Sequence, residues 1–414
     1  MASSAERSGH FADAISMGLL TRVCPRELVD EVVARTGRKE RRVRLLPARL
    51  TVYYVLALTL FFEDAYREVM RRLGNGLRAL DVWRGEWKVP TTAALSQARK
   101  RLGEQPLRLL FHDIARPLAV PGTPGAWFRR WRVMALDSAV LDAPDTPPNT
   151  AEFGKPGNAD GIGAYPQVRV VGLEECGTGA VVAAAMDSHA VGERELSARF
   201  LHAVEPDMLI LADRGFHSYR TWSRLRATGA DLLWRVDDEV ELPATEWLPD
   251  GSYRAELLLG GHRHPVEEGG NSSPSDGTAI PVRVVEYAVT DRGDVTGTIR
   301  LITSIVDHDR ARAGELAELY HRRRGSESAF DEIRTHQMPA GGLLRSRLPD
   351  LVRQEIWAML LTHYAIRHFM TEAAGDSDED VERPSFAHAV RVIRRQVHDQ
   401  RFSRADHLRR PRHP

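Results

Sequence analysis

The sequence is poor in cysteine, and this scarcity argues against a cysteine-ligated metal protein and against a disulfide-stabilised protein. Cys24 and Cys176 are its two cysteines, and they have the spacing of neither a metal site nor a disulfide framework. No structural zinc is therefore expected. A reducing cytoplasm is the natural compartment for such a chain.

The sequence also lacks net charge. Its 57 basic and 57 acidic residues balance, which excludes a uniformly basic nucleic-acid binder, so any DNA binding must use local patches. Hydrophobic residues make up 43% of the chain and charged residues 28%, which excludes overall disorder. At 414 residues the chain is long enough for two or three domains.

Long apolar runs are missing as well. The run at residues 50–62 is shorter than the roughly 20 residues that span a bilayer, and Glu63 and Asp64 follow it directly. The first 20 residues show no charged-then-apolar signal pattern. We therefore predict a buried helix at residues 50–62 and no membrane partner.

Polar residues in segment 319–334 are spaced for one face of a helix. At about 100° per residue, Tyr320, Arg323, Glu327 and Arg334 fall within an arc of roughly 60°, at the edge of an apolar stripe. The pattern is that of an ordinary amphipathic helix with solvated ion pairs, or of a helix that presents a metal-binding carboxylate among phosphate-binding groups.

Two aspartates favour the second interpretation. Asp137 lies inside the apolar, β-prone run 131–141, where a carboxylate is costly unless something compensates it. Asp213 ends the short apolar run 207–213, just before a glycine turn. Sites in open α/β sheets form at this carboxyl edge of the strands.

The order of these motifs resembles a known family. Asp137, then Ala212-Asp213-Arg214-Gly215-Phe216, then Tyr-x2-Arg-x3-Glu-x6-basic is similar to the DDE transposases of bacterial insertion sequences, specifically the insertion sequence four family with its Y-R-E-K signature. The segment 20–73 is also similar to the amino-terminal domain of that family. Together with the motifs above, the resemblance extends over roughly residues 15–370.

The resemblance implies an activity. Asp137, Asp213 and Glu327 would be the catalytic residues and would hold two Mg²⁺ or Mn²⁺ ions. Tyr320, Arg323 and Arg334 would bind DNA phosphates. The enzyme would nick DNA at the transposon ends by hydrolysis and join the 3′ ends to target DNA, in cut-and-paste transposition.

The resemblance also implies partners and a location. The partners would be double-stranded DNA, as terminal inverted repeats and target, and further copies of the chain in a synaptic complex that is at least dimeric. The location would be the bacterial cytoplasm, in association with the nucleoid.

Two departures from the family pattern leave alternatives open. Arg334 replaces the signature Lys, which preserves the cation but changes its donor geometry. Arg324 and Gly325 stand where family members commonly carry Trp after the signature Arg, and Gly costs roughly 1 kcal/mol in a helix. A catalytically inactive end-binding regulator and a metal-dependent nuclease on the same fold are therefore the alternative hypotheses.

Two basic clusters in the first 120 residues are candidates for DNA binding. Each is either a phosphate-binding patch or a solvated helix face. The second follows Thr91-Thr92, which predicts a capped helix. The candidate residues are Arg38, Lys39, Arg41 and Arg42 in the first cluster and Arg99, Lys100 and Arg101 in the second.

The order of predicted elements gives the fold. Three strands, a helix, a strand, a helix and a strand indicate an α/β, ribonuclease H-like core with a mixed sheet. The predicted domains are a helical N-terminal DNA-binding domain at 1–120, the catalytic core at 127–240 and 301–345, a β-rich insertion at 241–300, and a helical C-terminal region with a basic tail at 346–414. Trp234 is either a core residue or a platform for an extruded base.

Overall fold

The computed structural model describes residues 18–42, 45–79, 89–158, 161–258, 279–291, 294–325, 328–338, 341–377 and 385–395. Glu327 and the basic tail of the predicted C-terminal region lie outside these ranges. None of the helices within them combines the length and the apolar character needed to cross a membrane.

The first part of the chain is helical, as predicted. Residues 18–23 are helical, and five helices follow: α1 (Arg26–Arg35), α2 (Ala48–Leu60), α3 (Tyr66–Ala79), α4 (Thr92–Leu102) and α5 (Gln105–Ile114). Helix α2 is buried on nearly all sides, which confirms the buried helix expected from its apolar run. Thr91 caps α4 by accepting a hydrogen bond from the Ala94 amide at 3.2 Å, so this helix begins where the capping pattern predicts.

A mixed sheet forms the middle of the chain. Its strands are β1 (Trp127–Phe128), β2 (Trp131–Asp142), β5 (Gln167–Glu175), β6 (Ala180–Ser188), β7 (Met208–Ala212), β8 (Asp231–Val236), β9 (Glu246–Trp247), β10 (Tyr253–Leu257), β11 (Ile280–Asp291) and β12 (Asp294–Thr303). Strands β3 (Gly157–Asn158) and β4 (Gly161–Ile162) form a separate hairpin. The main order is β6-β5-β2-β7-β8-β12-β11-β10-β9, with β1 beside β2.

The pairing directions match the predicted ribonuclease H-like core. Strands β5 and β6 continue from β2 in antiparallel fashion, whereas β7 and β8 lie parallel to β2 on its other side. Helices occupy the connections: α6 (Pro147–Phe153), α7 (Glu193–Ser197) with the 3₁₀ segment Ala198–Ala203, and α8 (Tyr219–Arg226). Trp234 of β8 is fully buried with its ring edge-on to Trp222, so it is a core residue.

The β-rich segment after β8 extends the same sheet. Strand β12 pairs with β8 through residues Arg300–Thr303, and β11, β10 and β9 add to its far side. The predicted insertion at 241–300 is therefore a continuation of the core sheet. The boundary expected at residue 301 lies inside β12, which begins at Asp294.

The C-terminal helices pack against the N-terminal ones. These helices are α11 (Pro349–Ser377) and α12 (Phe386–Arg395). Thr362 of α11 forms a 2.8 Å hydroxyl contact with Thr59 of α2, and both regions share one hydrophobic core. The regions predicted at 1–120 and 346–414 therefore form one helical unit.

Segment 319–334 is not one continuous helix. Helix α9 (Ala313–Gly325) ends at Gly325, and a new helix, α10 (Ala329–Glu332), begins after Ser328 and runs into a π-helical turn at Ile333–Gln337. Ser328 is in an extended conformation and caps α10 by accepting from the Asp331 amide at 3.2 Å. The prediction of a single helical face from Tyr320 to Arg334 was wrong, because Ser328 starts a second helix within it.

Candidate active site

Two aspartates lie side by side where the parallel pairing of two adjacent strands, β2 and β7, ends. Leu136 of β2 pairs with Ala212 of β7, so Asp137 and Asp213 are the next residues on neighbouring strands. Asp137 lies within β2, whereas Asp213 follows β7 and caps the 3₁₀ turn Arg214–Phe216. The structure therefore brings together the two carboxylates that the sequence singled out.

Asp137 is a partly buried carboxylate, with 30% of its side chain exposed. Burial raises its pKa above the ordinary value, while the Ser328 hydroxyl, the Arg323 guanidinium and the Ser138 amide act in the opposite direction. Its Oδ1 accepts from the Ser138 amide at 2.8 Å, and its Oδ2 lies 4.0 Å from Arg323 Nη2. Within the described residues, Arg323 is the cation that pairs with this partly buried carboxylate, and at 4.0 Å it compensates the negative charge only in part.

Asp213 has a more open environment. Its side chain is 63% exposed and its Oδ1 accepts from the Arg214 amide at 2.9 Å. The same oxygen lies 3.5 Å from the Tyr320 hydroxyl and 3.8 Å from Arg235 Nη1.

Helix α9 supplies Tyr320 and Arg323 to this site. The Tyr320 hydroxyl lies 3.4 Å from the Ala212 carbonyl oxygen, which ties the helix to the end of β7. Arg323 is also largely buried, with Nη2 3.5 Å from Glu174 Oε2. Although burial acts to lower the pKa of Arg323, Glu174 and Asp137 raise it, so the guanidinium remains charged.

The residues that follow Glu327 pack directly against the strand of Asp137. Ser328 begins α10, and Phe330 of this helix lies over Gly172 of β5, the residue paired with Asp137. Glu327 itself lies outside the described residues. Its neighbours in the sequence, Arg323 on one side and Ser328 on the other, both interact with Asp137.

Arg334 occupies a different position from the one predicted. It lies in the π-helical turn, half exposed and paired with Asp331. With Arg391 and Arg394 of α12 it lines a cavity of about 450 Å³. Burial lowers the pKa of Arg394 to about 10, and its guanidinium donates to the carbonyl oxygens of Leu60 and His336 at 2.6 and 3.1 Å. The partner of Arg334, Asp331, accepts from the Ser328 hydroxyl and raises the pKa of Asp137, so this basic pocket lies next to the residues around Asp137.

The donor set at the strand ends suits a hard divalent cation. Asp137 and Asp213 offer carboxylate oxygens, which Mg²⁺ and Mn²⁺ prefer, and burial of Asp137 favours a cation beside it. Another acidic group, Asp307-His308-Asp309, precedes α9, whereas Tyr320 and Arg323 lie toward the opposite end of that helix. The acidic group is thus not part of this site.

The two N-terminal basic clusters form one surface. Arg38, Arg41 and Arg42 line a cavity of about 380 Å³ together with Arg101 from the end of α4. Lys39 and Lys100 are exposed nearby in the sequence. Residues from both predicted clusters therefore meet in space.

Arg99 does not belong to this surface. It is 2% exposed, and its guanidinium donates to Gln354 at 2.9 Å and Ser346 at 2.8 Å. The prediction that Arg99 contacts DNA requires a surface position, and the burial of this side chain between α4 and α11 contradicts it. Arg99 instead joins the N-terminal and C-terminal helices.

Sequence reasoning missed two buried carboxylates near the site. Glu174 interrupts an apolar strand, the same signal that identified Asp137, and it contacts both Arg323 and the Ala329 amide. Glu332 of α10 pairs with Arg367 and lies 2.9 Å from His363 Nε2, both on α11. The second group had no signal in the sequence, because its partners are 31 and 35 residues away.

Comparison with known proteins identifies relatives over most of the chain. Residues 14–112 match the family model for the insertion element 4 transposase N-terminal region, and residues 130–364 match the transposase DDE domain. The transposase InsG of insertion sequence element IS4 from Escherichia coli (strain K12) is 27% identical over 354 residues, covering 84% of this chain and 75% of the relative. The putative transposase InsZ of the same organism is 23% identical over 214 residues, covering 51% of this chain and 68% of the relative.

A solved structure also aligns with the chain. It is the piggyBac transposase in a synaptic complex with hairpin DNA, with a TM-score of 0.46, 11% sequence identity, and coverage of 94% of this chain and 83% of that one.

Proposed function

Because the chain belongs to the insertion element 4 family of DDE transposases, and is thus a DNA transposase that cleaves DNA and transfers strands, we propose that it works by cut-and-paste transposition. In this reaction it cuts at the terminal inverted repeats of its element and joins the 3′ ends to target DNA. The observation that carries the proposal is the adjacency of Asp137 and Asp213, beside the helix that brings in Arg323.

We assign Asp137, Asp213 and Glu327 as metal ligands and catalytic residues. Two Mg²⁺ or Mn²⁺ ions, when bound, would activate the attacking water or DNA 3′-hydroxyl and stabilise the leaving oxygen. The chain contributes the carboxylates and their orientation. The Ser138 and Arg214 amides each donate to one carboxylate oxygen of the preceding aspartate and so fix the orientation of its side chain.

Arg323 and Tyr320 are proposed to position the scissile phosphate. Arg323 lies beside Asp137, and the Tyr320 hydroxyl lies beside Asp213, so both can donate to phosphate oxygens next to the carboxylates. Arg334 would bind DNA from the basic pocket that it forms with Arg391 and Arg394. There it would contact a phosphate of the transposon end.

The N-terminal basic surface is proposed to bind the transposon end. Its residues are Arg38, Arg41, Arg42 and Arg101, with Lys39 and Lys100 nearby. Phosphate contacts of this kind supply affinity and a strong dependence on salt. Pairing two ends requires at least two copies of the chain, so the active form is proposed to be a dimer or larger on DNA, bound to the nucleoid in the cytoplasm.

The test is cleavage of a labelled duplex that carries the terminal repeat of the element, with Mg²⁺, Mn²⁺ or EDTA. Wild type is compared with Glu327→Gln and Asp137→Asn, and DNA binding is measured in parallel. We expect metal-dependent nicking at the repeat end by wild type, and DNA binding without nicking by both variants.

Other results would favour the alternatives. Binding of the repeat without any cleavage by wild type would indicate an inactive end-binding regulator. Nicking without joining to a target plasmid would indicate a nuclease. Nicking that survives in Asp137→Asn would contradict the assignment of this carboxylate.

A further inference from the structure

Glu174 is a buried carboxylate with an unusual set of contacts. It lies in β5, its side chain is 8% exposed, and burial raises its pKa above the ordinary value. Within the described part of the chain its polar contacts are Arg323 Nη2 at 3.5 Å and the Ala329 amide at 3.3 Å. Both distances are long for a carboxylate that has lost its water.

The next residue shows what a purely structural buried glutamate looks like in the same strand. Glu175 accepts from the amides of Leu118 and Ala119 at 2.8 Å each and from the Thr178 hydroxyl at 2.7 Å. It also pairs with Arg132. Since adjacent residues of a strand face opposite sides of the sheet, Glu175 anchors the linker before β1, whereas Glu174 faces α9 and α10.

The two contacts of Glu174 lie on either side of Glu327 in the sequence. Arg323 is at the end of α9 and Ala329 is the first residue of α10. One carboxylate therefore holds the end of one helix and the beginning of the next. Phe330 adds an apolar contact to the same strand over Gly172.

Arg323 is shared between two carboxylates. Its Nη2 lies 3.5 Å from Glu174 Oε2 and 4.0 Å from Asp137 Oδ2. Of these two carboxylates, Asp137 alone would attract the guanidinium if Glu174 carried no charge. A closer pair between Arg323 and Asp137 would occupy the oxygen that a metal ion needs and would add positive charge beside it.

We propose that Glu174 is a positioning residue that holds Arg323 away from Asp137 and thereby keeps this aspartate available to metal. The inference rests on the proposed function, since it takes Asp137 as a metal ligand. Glu174 acts through Arg323 and does not itself coordinate the ion.

The test measures metal binding directly. Mn²⁺ binding is followed by the loss of the electron paramagnetic resonance signal of the free ion, for full-length wild type and Glu174→Gln without DNA. The glutamine retains an oxygen that can accept from Ala329, so the substitution removes the charge while preserving the shape. We expect Mn²⁺ affinity to fall by about tenfold, as for other residues that orient metal ligands.

Glu318→Gln is the matched control. It removes one negative charge from α9, where Glu318 is 69% exposed and pairs with Arg322. We expect its Mn²⁺ affinity to equal that of wild type within about twofold, because an exposed charge is screened by solvent. Glu174→Asp is a second variant, which retains the charge and is expected to bind Mn²⁺ more tightly than Glu174→Gln.

A double-mutant cycle distinguishes two ways in which Glu174 could affect the metal: by positioning Arg323, or directly through its own charge. In an Arg323→Gln background the cation that competes for Asp137 is gone, so Glu174→Gln should cause no further loss of Mn²⁺ affinity. An equal loss in both backgrounds would overturn the proposal, because Glu174 would then act on the metal directly. Unchanged affinity in Glu174→Gln would overturn it too.

The proposed function fails in a different way. If Asp137→Asn binds Mn²⁺ as tightly as wild type, the metal assignment of Asp137 is wrong, whatever Glu174 does. Thermal unfolding of each variant in EDTA shows whether a loss of binding reflects a loss of fold.

Discussion

The ring of Phe330 fills the space that a side chain at Gly172 would occupy. A β-carbon at this glycine would lie 3.0 Å from Cζ of Phe330 and 3.2 Å from Cγ1 of Val181. Gly172 is also the residue of β5 that pairs with Asp137. Helix α10 thus approaches the sheet closely beside the aspartate, and the absence of a side chain at Gly172 permits this approach.

Gly172→Ala is therefore expected to impair cleavage, although the substitution adds only one methyl group. The added methyl group must displace Phe330 by a few tenths of an ångström, which should cost about 1–2 kcal/mol of unfolding free energy. The displacement should move α10 relative to Asp137 and lower the single-turnover cleavage rate. Gly297→Ala in β12 is the control, because nothing lies within 4 Å of its added methyl group. Equal cleavage rates for the two variants would contradict the importance of this contact.

Tyr320→Phe tests the hydroxyl at the end of β7. The hydroxyl lies 3.4 Å from the Ala212 carbonyl oxygen and 3.5 Å from Asp213, and neither distance indicates a strong hydrogen bond in the free protein. We expect the unfolding free energy to change by less than about 1 kcal/mol, whereas cleavage falls about tenfold or more. The measurement is chemical denaturation beside single-turnover cleavage. A large loss of stability with normal cleavage would give Tyr320 a structural role only.

His363 should make the stability of the chain depend on pH. It is fully buried beside Glu332, and burial lowers its pKa below the ordinary value of 6.5. The unfolded chain therefore takes up a proton near pH 6.5 while the folded chain still does not, so stability should fall as the pH falls through this window. The slope should approach about 1.4 kcal/mol per pH unit for this one proton.

The measurement for His363 is urea denaturation between about pH 7.5 and pH 5.5. His363→Gln can still donate to Glu332 but takes up no proton, so its stability should depend less on pH over this range. A variant with the full slope of wild type would show that another group titrates there.

Substitutions of the neighbours Arg99 and Lys100 should have different effects: one on the stability of the fold, the other on DNA binding. Arg99→Ala removes the four hydrogen bonds that the guanidinium donates to other parts of the fold. The acceptors belong to Gln354, Tyr66, Ser346 and Leu351. It should cost about 3 kcal/mol or more, since buried acceptors are left unpaired. Lys100→Ala is exposed and should leave the unfolding free energy within about 0.5 kcal/mol of wild type.

The DNA affinities of these two variants complete the comparison. If Lys100 contacts a phosphate, Lys100→Ala should reduce the dependence of log affinity on log salt by about one. Folded Arg99→Ala should retain the slope of wild type. Fluorescence anisotropy with the terminal repeat at several salt concentrations measures both.

The sequence determined the elements that depend on local patterns. Apolar runs located β2 and β7. The carboxylate inside β2 identified Asp137 and the carboxylate directly after β7 identified Asp213, because a charge beside apolar strand residues is costly unless it is compensated. The ribonuclease H-like class of the core followed from the succession of strands and helices, whereas the order of the strands in the sheet did not. The buried character of α2 followed from its uninterrupted apolar residues.

Tertiary structure decided what depends on contacts between distant residues. The amphipathic spacing of segment 319–334 predicted one helix, but Ser328 caps a second one, and Arg334 consequently joins Arg391 and Arg394. Arg99 belonged by sequence to a basic cluster, yet packing against α11 buries it. The helical regions at the two ends form one unit because their apolar faces cover each other, and periodicity gives the direction of such a face but not its partner.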